Sequence, residues 1–176
     1  EADPDNGFVH ELYGRVAQSV GEPDRAQKHF ERAARVEGDR QAALMALGQL
    51  HAENRNARRA SESYEQAARE QASHGHRAAR IYTGWANAEL MRRRADRAAR
   101  LAEQALRFEP GHLQALLTRG EAALMTGSAT TALSYGRKVL EIPSNKEPAA
   151  QVLVARAYAM QNNNAAALRE LESAVQ

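Results

Sequence analysis

A chain of 176 residues is long enough for one domain with a substantial core. Its formal charge of +2, with 26% charged residues, describes an ordinary mixed surface and argues against a nucleic-acid binder. The lack of cysteine excludes disulfides, thiolate metal sites and cysteine nucleophiles. No apolar run approaches the roughly 20 residues of a membrane-spanning helix, so no direct membrane insertion is expected. The chain does not begin with Met and shows no secretory leader, which reads as a mature form or an excised piece of a longer protein.

Helix formers dominate from one end to the other, and alternating strand patterns do not persist. Residues 1–6 are a leader or the tail of something earlier. Breakers then recur at Gly21-Glu22-Pro23, Gly38-Asp39, Gly75, Pro110-Gly111, Gly127, Pro143, Pro148 and Asn162-Asn163-Asn164. The intervals are about 12–18 residues, the length of helices in all-α hairpins.

The helices also repeat. Segments AQKHFERAA, ASESYEQAA, AARLAEQAL, ALSYGRKVL and ALRELESAV begin at Ala26, Ala60, Ala98, Ala132 and Ala167, in steps of 34, 38, 34 and 35 residues. Seven residues on, Ala33, Ala67, Ala105, Val139 and Ala174 recur; twelve residues upstream, Gly14, Gly48, Ala86, Gly120 and Ala155 recur. Large residues flank these small slots: Tyr13, Leu47, Trp85 and Val154 before the first, and Phe30, Tyr64 and Leu171 in the second helix. Each unit therefore reads as two helices brought close by small residues. A unit of this size cannot bury its faces alone, so neighbours stack. Gly21, Gly127 and Asn162 fall where the turn tolerates left-handed backbone.

These slots, the 34-residue step and stretches such as LYGRVAQSVGEPDRAQKHFERAARVEGD resemble tetratricopeptide repeats. The resemblance implies an all-α, right-handed α-solenoid of five units over residues 7–176, at about 7–40, 41–74, 79–112, 113–147 and 148–176. The third unit ends in RFEPGH, with the family's terminal proline at Pro110. Arg119, Gly136 and Gln151 depart from the pattern at slots that are usually large and apolar. Pro4 precedes Gly38 by 34 residues, so residues 1–6 read as the tail of a preceding repeat in a longer array. At the other end Leu168, Leu171 and Val175 would need a cover, which leaves room for self-association through uncapped terminal repeats.

No nucleophile elbow, phosphate loop, dinucleotide fingerprint or zinc-protease motif is present, so no enzyme, cofactor or metal is expected. His10, His29 and His51 read as partly buried or interfacial side chains. The cluster MRRRADRAAR, residues 91–100, could meet an acidic partner, but Arg92, Arg93 and Arg94 read better as a solvated helix end that complements the helix dipole. No aromatic residues interleave with them as base stacking would require.

The resemblance implies that the first helix of each unit lines a concave groove where peptides dock. The expected groove residues are Met45, Arg80, Asn87, Leu90, Met91, Leu117, Met125, Val152 and Met160. Met91, Met125 and Met160 share one slot in successive units. Adaptable thioethers suit a binding surface, and they equally suit gaps between helices. Asn87 offers a donor and an acceptor to a partner's backbone, or it is simply solvated. A clamp for a C-terminal carboxylate is disfavoured, because Glu11, Arg15 and Ala46 stand where that subfamily has Lys and Asn; only Arg80 matches.

The expected function is a protein–protein interaction scaffold for a protein or peptide partner. The resemblance places such arrays in bacterial assembly or export apparatus, such as a pilus or secretin lipoprotein or an exopolysaccharide exporter, in the periplasm. The alternatives are a cytoplasmic adaptor, or a structural spacer with no groove ligand. The 38-residue step leaves a four-residue insertion within QASHGHRA, residues 71–78. His74 and His76 flank Gly75 there, but two imidazoles make half a metal site. The stretch reads instead as an irregular joint that alters the pitch between a two-repeat and a three-repeat block.

Overall fold

The computed structural model describes residues 6–36, 38, 40–70, 75–142 and 147–175. Among them are ten helices: α1 (Gly7–Ser19), α2 (Pro23–Ala33), α3 (Arg40–Glu53), α4 (Ala57–Arg69), α5 (His76–Met91), α6 (Ala95–Phe108), α7 (Leu113–Met125), α8 (Ala129–Leu140), α9 (Pro148–Met160) and α10 (Asn164–Ala174). Four starts carry side-chain caps, in which Asn6, Asn56, His112 and Asn163 each accept from the backbone N–H three residues on. Pro23 and Pro148 open α2 and α9, where a missing N–H costs nothing.

The five turns within helix pairs share one geometry. Gly21, Arg55, Arg93, Gly127 and Asn162 all lie in the left-handed region, with φ of 79°, 58°, 62°, 78° and 59°. The next residue in each case donates its N–H five residues back, from Glu22 to Ala17, Asn56 to His51, Arg94 to Glu89, Ser128 to Ala123 and Asn163 to Tyr158, over 2.8–3.0 Å. That closing bond defines a Schellman cap and satisfies carbonyls the helix end leaves open. Two of the five positions hold arginine, a residue with no special tolerance for that backbone.

The helices pack as a solenoid. Every helix touches its sequence neighbours; beyond these, α1, α3, α5, α7 and α9 touch one another in order, whereas the even-numbered helices do not. Rows that touch lie on the inside of a curve and rows that splay lie on the outside, so the odd-numbered helices form the concave layer. All five residues at each of two small slots are buried: Ala26, Ala60, Ala98, Ala132 and Ala167, and Gly14, Gly48, Ala86, Gly120 and Ala155.

The space beside those slots is filled in two ways. A Cβ on Gly14 would meet a Phe30 ring carbon at 2.4 Å, and one on Gly48 would meet Tyr64 at 2.8 Å. Each aromatic filler comes from the same helix pair as the glycine it faces. In the fourth pair the equivalent of Phe30 is Gly136, and Gly120 instead faces Leu153 of α9, at 2.4 Å from a built Cβ. Val154 occupies the space over Gly136, 2.6 Å from a built Cβ. The departure at Gly136 is thus compensated by the following repeat. Arg119 lies over the Tyr135 ring at 5.2 Å and pairs with Glu103 at 2.8 Å, so its stem packs while its charge is met. Gln151 donates to Ser173 and ties α9 to α10.

Residues 71–74, which include His74, lie outside the described residues. Gly75, at φ 57°, stands immediately before α5. Packing of α4 on α5 is as extensive as that of α6 on α7 or α8 on α9; the thin step is α2 on α3. The added length at residues 71–78 therefore does not thin the packing between its flanking helices.

Candidate partner-binding groove

The concave layer displays side chains in columns, each column taking one position from every odd-numbered helix. One column holds Arg15, Gln49, Asn87, Glu121 and Arg156, polar throughout. Its members bond along the groove. Arg15 pairs with Glu11 at 2.6 Å, Gln49 donates to Glu53 at 3.0 Å, and Arg156 spans to Glu121 of the preceding repeat at 2.6 Å. The Oδ1 of Asn87 accepts from the Thr118 hydroxyl at 2.7 Å. Asn87 is exposed, so the edge of its amide turned away from Thr118 is open to a partner's backbone.

A second column runs along the C-terminal ends of the same helices: Ser19, Glu53, Met91, Met125 and Met160. The three methionines are the last residues of α5, α7 and α9, and they are 45%, 37% and 43% exposed. They form one rim of the groove. Val152 is similarly exposed, while Leu90 and Met45 are half-buried. The expected groove residue Leu117 is buried in the free chain. It is only 7% exposed and packs in the core with Leu116, Leu153 and Val154, because its helix turns that position toward α9. Thr83, in the same column as Leu117, is also buried, with its hydroxyl donating to Ala79 O at 2.7 Å.

Toward the N-terminal half the groove has a depression of about 260 Å³, lined by Arg15, Gln18, Ser19, Met45, Ala46, Gln49 and Arg80. Five of those seven residues carry polar side chains, and Gln18 reaches Glu53 across the first two repeats. From α5 onward the groove therefore gains a methionine rim beside a polar column that runs its whole length.

Arg93 and Arg94 are exposed at the helix end, as the sequence suggests, but Arg92 turns inward to a buried carboxylate. Glu89 of α5 is 0% exposed. Its Oε1 accepts from the Ser61 hydroxyl and from Arg92 Nη1 at 3.0 Å, and Arg94 Nη1 stands 3.7 Å from its Oε2. Ser61 also accepts from Trp85 Nε1 and from Arg92 Nη1, each at 3.1 Å. One donor and two acceptor sites of that hydroxyl are all used. Arg92 and Arg94 thus neutralise a buried carboxylate at the junction of α4 and α5. Glu89 was not legible as a buried group, since a Glu near an Arg-rich helix end reads as surface.

Several histidines are also paired by the fold. His10 Nδ1 and His29 Nδ1 lie 3.1 Å apart, and Tyr13 stacks on His29 at 5.2 Å. Burial lowers the pKa of His29 from the usual histidine value, helped by His10 and nearby arginines. Burial likewise lowers His51, with Arg59 adding to the effect.

The family described as tetratricopeptide repeat matches residues 14–75 and 83–147. Among solved structures, that of MamA is similar at a TM-score of 0.81 and 16% identity, over 98% of this chain and 92% of that one. YrrB, described as a tetratricopeptide-repeat protein with an unusual peptide-binding site, is similar at a TM-score of 0.76 and 17% identity, over 98% and 87%. PilF of Pseudomonas aeruginosa is similar at a TM-score of 0.80 and 16% identity, over 96% and 74%. At such identities these are likenesses of fold. No curated protein sequence matches the chain.

Proposed function

The chain belongs to the tetratricopeptide repeat family, and we propose that it holds an extended or helical segment of a protein partner in its concave groove. The observation that carries this reading is the rim of Met91, Met125 and Met160, repeated in one slot and about two-fifths exposed. A methionine that only filled a gap between helices would be buried. Three flexible apolar side chains in line give an adaptable contact for a partner's apolar residues. The exposed amide of Asn87 and the polar column beside it supply backbone and side-chain hydrogen bonds that fix the partner's register.

Within that class we place the protein in a bacterial periplasmic assembly apparatus of the pilus or secretin kind. The likeness to PilF supports this reading, and an exopolysaccharide exporter or a cytoplasmic adaptor is the alternative. We assign it no catalytic step, in keeping with a family generally made of non-catalytic scaffolds.

A second reading rests on the ends. Phe8, Leu12 and Val16 are exposed on α1, and Leu168, Leu171 and Val175 at α10. Such faces suit a spacer, or self-association through its ends. Two baits separate the readings: the wild-type chain, and Met91→Glu combined with Met125→Glu. Groove binding requires that the double variant lose partner capture while its helicity and melting stay unchanged. Equal capture by both baits, with loss only when α1 or α10 is altered, overturns the groove in favour of the ends.

A further inference from the structure

Two connections that are far apart in sequence, the start of α5 and the α6–α7 turn, bring His76, Glu109 and His112 together, with one ligand atom from each lying within 4.8 Å of the other two. His76 is the first residue of α5, Glu109 caps the C-terminus of α6, and His112 is the N-cap of α7. His76 Nδ1 and Glu109 Oε2 are 2.7 Å apart, and the two imidazole rings stand 5.9 Å apart between centroids. We propose that this trio binds a divalent transition metal ion, of the zinc class, and clips the start of α5 to the α6–α7 turn.

The chemistry of the set fits that ion. Two imidazoles and a carboxylate are the donors of open three-ligand zinc sites, in which water completes the tetrahedron. Nitrogen donors favour zinc, nickel and copper over magnesium and calcium, which want oxygen. His76 is exposed and the other two are partly buried, so the ion has an entry path. The ion would replace the hydrogen-bond contact between His76 Nδ1 and Glu109 Oε2.

Two features oppose the ion. The N-termini of α5 and α7 both carry partial positive charge toward the site, and Arg80 adds a cation near His112. Glu109 and the C-terminal carbonyls of α6 oppose them with negative charge. Ligation through His112 Nε2 moves the ring proton to Nδ1 and gives up the cap contact from Ala115 N, which at 3.3 Å is already long. The site is therefore open, with one exposed and two partly buried ligands.

The test uses the tag-free chain and Zn²⁺ titrated by calorimetry in a non-coordinating buffer. One saturable site is expected, and His76→Ala should weaken it at least tenfold. His112→Asn should do the same while keeping an excellent helix cap, so that loss of binding is separated from loss of folding. The variant with His10→Ala and His29→Ala removes the other close histidine pair and should leave the affinity unchanged. Mg²⁺ should not compete. No saturable Zn²⁺ binding, or binding unaltered in both His76→Ala and His112→Asn with their melting preserved, overturns the proposal and leaves an ordinary ion pair.

Discussion

The first two repeats and the last two fill the same small-residue slots by different means. In repeats one and two, Phe30 and Tyr64 fill the space beside Gly14 and Gly48 from within their own helix pair. In repeat four that filler is Gly136, and repeat five supplies Leu153 and Val154 in its place. The first arrangement fills the slot from within the pair, although Tyr64 also reaches Gly84 of the next repeat and Phe30 shares a core with α3. The second ties two units into one, because neither can bury its faces without the other. The methionine rim begins at Met91 of repeat three and runs on through Met125 and Met160 of the linked repeats.

The largest effect that tests this contrast is truncation of the fillers. Phe30→Ala should cost about 3–5 kcal/mol and Leu153→Ala about 2–5 kcal/mol. Their patterns should differ. Amide exchange should show Phe30→Ala loosening α1 and α2 first, and Leu153→Ala loosening α7 to α10 together. If Leu153→Ala leaves α7 and α8 as protected as before, the linkage of repeats four and five is wrong.

A swap sharpens the point. Gly136→Val alone should destabilise by about 1–3 kcal/mol, since its new methyls meet Val154. Adding Val154→Ala should recover part of that loss, because the filler then comes from within the repeat. Denaturant melts of the two single variants and the double variant measure the coupling directly.

A smaller effect concerns the shared turn. Gly127→Ala should destabilise, because φ 78° strains any side chain. Arg55→Gly and Arg93→Gly, at the equivalent positions of repeats two and three, should each stabilise by up to about 1 kcal/mol. The same backbone then gives opposite signs, which thermal melts can read. A loss at Arg93→Gly would mean that its side chain contributes more than its backbone strains.

The smallest effect is that of pH. His51 has a folded pKa below the usual histidine value, so the unfolded chain takes up the proton first. Its contribution is full at neutral pH, declines as pH falls below about 6.5, and levels off below the folded pKa. His29 shifts in the same direction, and both lie in the first two repeats. Mild acid should therefore reduce amide protection in α1–α4 before α8–α10, and His51→Gln should lessen the difference.

Much of this was legible because the repeat carries its own ruler. Ala26, Ala60, Ala98, Ala132 and Ala167 recur at nearly constant spacing, and their burial follows from that spacing. Methionines sharing a slot could be aligned, but spacing alone does not separate groove from core. Leu117 sits in an expected groove column and is nonetheless turned into the packing by α9. The left-handed turns at Arg55 and Arg93 left no mark, since arginine has no turn signature. Glu89 and the His76–Glu109–His112 trio escaped for another reason: their partners lie about thirty residues away, on elements that only stacking brings near.

The groove itself is tested most directly by a photo-reactive residue placed at position 125, with a second at exposed Arg58 as the control outside the groove. Groove binding predicts that the partner crosslinks from position 125 and not from position 58, and that Met91→Glu abolishes the crosslink. Crosslinking from position 58 alone, or a crosslink at 125 that survives Met91→Glu at full strength, would contradict it.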